Sequence, residues 1–327
     1  MIQCSSLIAE SSLLSLLFDI VSITSLLINP YVICCIIFKS TKHMATYRWY
    51  LLYHQVLTFA TDITIAFLVE PAILIPLPAS YPRGCLTRLL PTNLLTATVF
   101  FAVEMSLGSI IQLFIYRYFV VKGAKSFFPL WVKILMSVSY SLICIPPISL
   151  AIFPGNQGEL GQKFKQKYSC FNEVTPMIKS MFLWDMNFLT YYVILPVIIL
   201  LVVFASVEFY LLYATYKAIQ KNAMSERSKS LQRRFLLQLV LQTMVPLVLF
   251  VFPISAVVYL YVFEVFGYAY ISDIGFLAGS SFGTIGGIIL IMMNPTYHQW
   301  ITRPIQRRLS QHSIAGTNTI FVTESRG

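Results

Sequence analysis

Residues Leu13–Phe38 read LLSLLFDIVSITSLLINPYVICCIIF. The run holds one formal charge, Asp19, and is followed by Lys39, Lys42 and Arg48, while no Lys or Arg precedes it. A bilayer core about 30 Å thick needs roughly 20 apolar helical residues, so this run is long enough to cross it. It is apolar on most of its circumference, unlike an amphipathic helix from a water-soluble bundle. No positively charged n-region precedes the apolar run, so it is expected to act as an uncleaved signal-anchor. Basic residues after the run, and none before it, place its start outside the cell and its end in the cytoplasm.

The same pattern repeats along the chain. Further apolar runs lie at Trp49–Ile75, Leu89–Tyr116, Leu130–Phe153, Met186–Tyr213, Phe235–Phe263 and Asp273–Met293, which makes seven candidate spans. Pro146, Pro147, Pro196, Pro246 and Pro253 fall inside them. Proline breaks a soluble helix, but membrane bundles tolerate it as a kink. Across the 327 residues, 57% are hydrophobic and 11% charged, where a soluble domain carries about a quarter charged residues. Lipid must therefore be the solvent for much of the surface. The net charge of +10 does not mark a nucleic-acid partner, because Lys and Arg sit in short clusters between apolar runs. Seventeen of the 23 fall in the connections on one side and in the C-terminal tail. The other side has Arg83, Arg88, Lys163, Lys165, Lys167 and Lys179. The expected fold is all-α: a seven-helix membrane bundle over residues 1–310, N-terminus extracellular, followed by a short cytoplasmic tail, 311–327.

There is no hydrolase box, phosphate-binding glycine loop or metal cluster in the sequence, and no enzyme activity, cofactor or metal is expected. The chemistry on offer is polar residues within apolar spans, which face a bundle interior or a cavity because lipid exposure is costly. Asn29, Asp62 and Asn294 form one candidate cluster, either coupling helix rearrangement to the inner face or fixing helix packing. Glu104 is the one carboxylate of span three, placed to contact a ligand or to bond a neighbouring helix. Arg117 ends that span, either as an inner-face switch touching span six or a partner, or as a residue snorkelling to the interface. Tyr191 and Tyr192 at the start of span five and Tyr259 at the end of span six are candidate ligand aromatics or members of an interfacial belt. Ser280 is a further ligand candidate. Cys85 and Cys170 lie in connections on the oxidising side, where a disulfide is compatible. The Lys217–Arg234 loop, including Arg233 and Arg234, can dock an acidic partner or serve only as the topology signal.

The local motifs resemble the nematode serpentine chemoreceptors of class H, within the Str superfamily of G-protein-coupled receptors. The resemblance is carried by Tyr47-Arg-Trp-Tyr-Leu-Leu-Tyr-His54 leading to Asp62, by Pro71 and Pro76-Leu-Pro-Ala-Ser-Tyr-Pro-Arg-Gly84, and by Leu90-Pro-Thr92. It continues through Ser109-Ile-Ile-Gln-Leu-Phe-Ile-Tyr-Arg-Tyr118, Gln232-Arg-Arg-Phe235, Gln242, Val245-Pro246 and the stretch from Gly283-Thr-Ile285 to Asn294-Pro295-Thr-Tyr297. It covers roughly residues 13–310. Where the family tends to carry Glu-Asn-Arg, this chain has Ile115-Tyr116-Arg117, so an acidic neighbour of the arginine is missing. The resemblance implies a sensory-neuron receptor in the plasma membrane, at the sensory cilia. Such a receptor binds a small molecule outside and activates a heterotrimeric G protein, with Arg117, Asn294, Pro295 and Tyr297 in the switch region. The rival readings are a ligand-gated channel subunit of reversed topology, which the charge asymmetry opposes, and a transporter, which the seven unequal spans do not fit.

Overall fold

Proline sets the borders of the helices. In a computed structural model, which describes residues 12–40, 46–74, 79–123, 129–152, 155–167, 181–185, 191, 195–221, 225–263, 268, 270–294 and 297–300, span two is a helix over Tyr47–Ile63 continued by a π-type turn over Thr64–Val69. It stops short of the expected Ile75 because Pro71 has no N–H to continue the ladder and disfavours α geometry in the residue before it. Glu70, that preceding residue, turns the chain in the left-handed region at φ 46°.

The remaining spans follow the hydropathy pattern, except that the helices Leu195–Lys221 and Glu226–Pro246 take in most of the expected Lys217–Arg234 loop. Seven apolar stretches long enough to cross a bilayer occur among the described residues: Leu13–Lys39, Tyr47–Val69, Thr92–Val121, Val132–Ile152, Ile198–Lys221, Ser228–Leu260 and Tyr270–Met293. Span four is interrupted at Cys144, ahead of Pro146 and Pro147, and its helices are Leu130–Ile143 and Ile145–Ile152. Span six starts at Glu226, where the Ser225 hydroxyl caps the helix by accepting from Ser228 N at 3.3 Å. After Pro246 it loosens into a π-type turn over Leu247–Val251, then resumes as Phe252–Val262. Span seven is two helices, Tyr270–Gly279 and Phe282–Met293, separated at Ser280–Ser281.

The fold is the expected helical bundle, with one small sheet added to it. At the end of the bundle opposite the basic clusters, β1 (Pro71–Leu74) and β2 (Ala79–Pro82) form an antiparallel hairpin, pairing Pro71 with Pro82 and Leu74 with Ala79. β3 (Phe182–Leu183) pairs with β2 as a third strand. The hairpin is sealed by an amphipathic helix, Gln157–Lys167, whose Leu160 and Phe164 pack with Ala72, Leu74, Ala79, Tyr81 and Leu183. The Gln157 side chain copies a strand partner for Leu183, accepting from its N–H at 2.9 Å and donating to its carbonyl at 3.1 Å. The Trp184 indole donates to Ser80 Oγ at 3.1 Å.

The polarity of the bundle is inverted relative to a soluble protein. Ser25, Asn29, His54, Gln55, Asp62 and Ser109 are buried, while Leu27, Phe38, Phe209 and Phe252 stand exposed on the perimeter. That arrangement is stable where the surroundings are hydrocarbon.

Candidate functional site

Span two has the lowest mean hydropathy of the seven, 1.4, because its inner face carries His54, Gln55, Thr58, Thr61 and Asp62. These side chains hold the neighbouring spans. His54 Nδ1 is 2.7 Å from Ser109 Oγ, and the Thr61 hydroxyl is 2.7 Å from Ser106 Oγ, both on span three. Gln55 Nε2 donates to Asn29 Oδ1 on span one at 2.7 Å and to the Gly283 carbonyl on span seven at 3.3 Å.

Asp62 is the hub. Its Oδ1 accepts from Gly283 N at 2.7 Å, and its Oδ2 accepts from Thr284 N at 2.9 Å and Thr284 Oγ1 at 3.0 Å. Ser25 Oγ and Asn29 Nδ2 add contacts to Oδ2 at 3.2 and 3.3 Å. Gly283 and Thr284 open the second helix of span seven, whose first N–H groups have no partner within that helix. Asp62 therefore caps, from another span, a helix that begins inside the membrane. The dipole of that helix end favours the negative charge. The approach is tight: a Cβ on Gly283 would lie 2.7 Å from the Thr58 carbonyl carbon and oxygen.

Asn29 and Asp62 thus meet as expected, but Asn294 does not join them. It is buried at the far end of the Phe282–Met293 helix, about 16 Å from Gly283 at 1.5 Å per residue. Its carbonyl instead accepts from Tyr297 N and His298 N at 3.1 and 3.0 Å. Tyr297 is fully buried, with its phenol 2.8 Å from Ser40 Oγ at the end of span one. Ser40 donates its own proton to the Ile36 carbonyl at 2.6 Å, which leaves Tyr297 as the donor. Pro295 lies outside the described residues.

Arg117 is 5% exposed, so it does not snorkel. Its guanidinium carbon lies 3.6 Å from the Tyr47 ring centroid on span two and 4.1 Å from that of Phe235 on span six. The two rings clasp the cation. Such contacts are worth about 0.5–2 kcal/mol, the upper end applying to desolvated pairs. Tyr47 stacks on Tyr116 at 5.5 Å, which fixes the outer ring of the clasp. Arg117 Nε and Nη2, the Tyr47 hydroxyl and both polar atoms of the Gln238 amide have no hydrogen-bond partner among the described residues, although all are buried. Donors and acceptors are thus left unmatched along the contact between spans three and six. Arg233 and Arg234 are exposed beside it.

The expected ligand residues do not converge. Glu104 is 7% exposed, and among the described residues neither carboxylate oxygen has a hydrogen-bond partner. Ser280 is buried and donates to the Leu277 carbonyl at 2.7 Å, inside the break of span seven. Tyr191 and Tyr259 are 64% and 58% exposed, on the perimeter rather than in the bundle. Tyr192 lies outside the described residues. The Cys85 thiol is free and exposed, and Cys170, the partner considered from the sequence, lies outside the described residues. The tail, 311–327, also lies outside them.

The chain matches the family model described as serpentine type 7TM GPCR chemoreceptor Srh over residues 9–307. It belongs to that family. No curated protein matches it significantly. The serpentine receptor is accordingly a multi-pass membrane protein of a receptor family rather than an enzyme family, and the family implies in general a small-molecule ligand and G-protein coupling.

Three features of this receptor escape a sequence reading. His54 and Gln55 form the bonds to spans three and seven, and their signal is the helical spacing with Thr58 and Asp62. The trans cap on span seven was signalled by Gly279-Ser-Ser-Phe-Gly283, a run of small residues in mid-span. At the hairpin end, Arg83 sits 3.4 Å from Glu70 and 3.6 Å from Asp273, in ion-pair rather than hydrogen-bond geometry, and lies over the Phe18 ring at 5.7 Å. With Ser272 Oγ donating to the Ile73 carbonyl at 3.3 Å, it straps the hairpin to spans one and seven.

Proposed function

We propose that this serpentine receptor detects a small organic molecule in the half of the bundle nearer the hairpin and relays its binding to a heterotrimeric G protein at the basic end. The basic end is read as cytoplasmic, because the Lys and Arg asymmetry favours it, and the site of action as the plasma membrane of sensory cilia, as the family resemblance implies. The observation that carries the relay is the Arg117 clasp. It joins span three to span six through two aromatic faces, with unsatisfied polar groups beside it. Ligand that favours a packing in which Phe235 leaves the guanidinium shifts the population toward an open inner face.

The ligand half of the reading rests on Glu104. A buried carboxylate with two free oxygens suits a molecule that donates hydrogen bonds or carries a positive charge. Membership of a chemoreceptor family disfavours the channel and transporter alternatives.

The test is a panel of volatile and water-soluble molecules, amines included, applied to cells expressing the receptor, with cyclic nucleotide or calcium as readout. Arg117→Ala and Glu104→Gln run in parallel at matched surface levels. A ligand response is expected in the wild type, lost in Arg117→Ala and weakened for cationic ligands in Glu104→Gln. A current or flux that persists in Arg117→Ala without G proteins would overturn the relay.

A further inference from the structure

Between the basic ends of spans one and two lies a cavity of about 70 Å³, lined by Ile36, Ile37, Arg48, Trp49 and Leu52. It is far smaller than the pockets of about 300–1,000 Å³ that enclose small molecules, and it is open at the perimeter, where Ile37 and Trp49 are exposed. Ile36, fully buried, is its floor. Arg48 stands at the mouth with its guanidinium carbon 5.2 Å from the Trp49 ring centroid. Its Nε is buried and has no hydrogen-bond partner, and among the described residues it forms no ion pair.

No acidic residue in the surrounding stretch of sequence offsets the local charge. Between Asp19 and Asp62 the chain carries Lys39, Lys42 and Arg48 and no Asp or Glu. Lys39 sits at the end of span one, its ammonium 4.9 Å from the Trp300 ring centroid. Leu52 lies one helical turn from Arg48 into the bilayer, about 6 Å by rise. The notch therefore presents cation and indole at the interface and branched aliphatics below them. That is the order of a phosphate headgroup followed by the first carbons of an acyl chain. A soluble anion would leave the aliphatic walls unused, and a sterol would leave the guanidinium unpaired.

We propose that this notch is a binding site for an anionic phospholipid, with the lipid phosphate on Arg48 and one acyl chain along Ile37 and Leu52. Basic pockets between spans attract anionic headgroups, and a guanidinium pairs with phosphate in a two-bond fork. The lining residues of the notch do not include Arg117 or Phe235, and in a bilayer with the same lipids in both leaflets its occupancy does not depend on which end of the bundle is cytoplasmic.

The experiment is native mass spectrometry of the full receptor, extracted from nanodiscs of phosphatidylcholine containing a minority of phosphatidylserine or of a phosphorylated phosphatidylinositol. Wild type should retain anionic lipid in preference to phosphatidylcholine. Arg48→Gln should lower that retention about five-fold. Ile37→Trp, which fills the notch and leaves the charge, should lower it as well. Lys122→Gln, at a basic interface position on span three, should leave it unchanged. Retention equal to wild type in both Arg48→Gln and Ile37→Trp overturns the proposal. So does a loss in Lys122→Gln as large as that in Arg48→Gln, which would reduce the effect to general charge attraction. Should Arg48→Gln fail to fold, the Ile37→Trp and Lys122→Gln pair decides.

Discussion

Gly283 shows how much of the site turns on one hydrogen atom. A methyl there would meet the Thr58 backbone at 2.7 Å and Asp62 Oδ2 at 3.0 Å, and backbone does not yield as a side-chain tip does. Gly283→Ala should push span seven off span two and strip Asp62 of its amide donors, a loss of about 1–3 kcal/mol per buried group left unsatisfied. Gly286, in the same helix, has nothing within 4 Å of its built Cβ. Gly286→Ala should be neutral or slightly stabilising through helix propensity. Melting temperatures in detergent separate the two, and equal values would remove the packing argument. The clasp makes a parallel claim: Phe235→Ala frees one face of Arg117 and should raise ligand-independent G-protein activation. Unchanged basal activity at matched surface level counts against the clasp as a restraint. Asn29 and Asp62 were legible as partners because polar groups in hydrocarbon seek one another. Asn294 stands apart from them because Asp62 lies about 22 Å along the helix from the basic end at 1.5 Å per residue, whereas Asn294 sits near that end. Tyr191 and Tyr259 were not legible, because an apolar helix gives no moment by which to tell its lipid side from its bundle side.

Among the elements, the β-hairpin is the one that hydropathy hides. Pro71–Leu74 is as apolar as the span before it, and only Pro71 and the prolines that follow mark the change from helix to strand. Its strap gives a pH prediction. Burial pushes the Glu70 carboxyl above its ordinary value; Arg83 beside it offsets part of the rise, while Asp19 and Asp273 add to it. A carboxyl raised by folding holds its proton more tightly in the folded state. Its penalty is fully present above the raised value and is relieved as pH falls through it. The receptor should therefore gain thermal stability as pH drops from neutrality toward the ordinary glutamate range, and Glu70→Gln should flatten that slope. A slope unchanged in Glu70→Gln would assign it to another group. Substituting Arg83 by Gln leaves Glu70 and Asp273 facing each other without their cation, so it should lower the melting temperature most at neutral and alkaline pH.

For the whole molecule, seven spans follow from hydropathy because hydrocarbon allows few alternatives to a closed helix, and the proposed orientation rests on where Lys and Arg collect. An epitope at the N-terminus should stain intact cells, and one at the C-terminus only permeabilised cells; the reverse pattern would invert the proposed direction of signalling. Hydropathy cannot report that span seven is two helices, since both halves are apolar and no charge or proline lies between them. That break divides the bundle mechanically. The Tyr270–Gly279 half is tied to the hairpin through Asp273 and Arg83, and the Phe282–Met293 half is pinned to span two by Asp62. A joint between two separately anchored rods absorbs rotation instead of transmitting it. Span seven is then poorly suited to carry motion between the two ends of the receptor, whereas span three, an unbroken thirty-residue helix over Thr92–Val121 with Glu104 near its middle and Arg117 near its end, is suited to carry it.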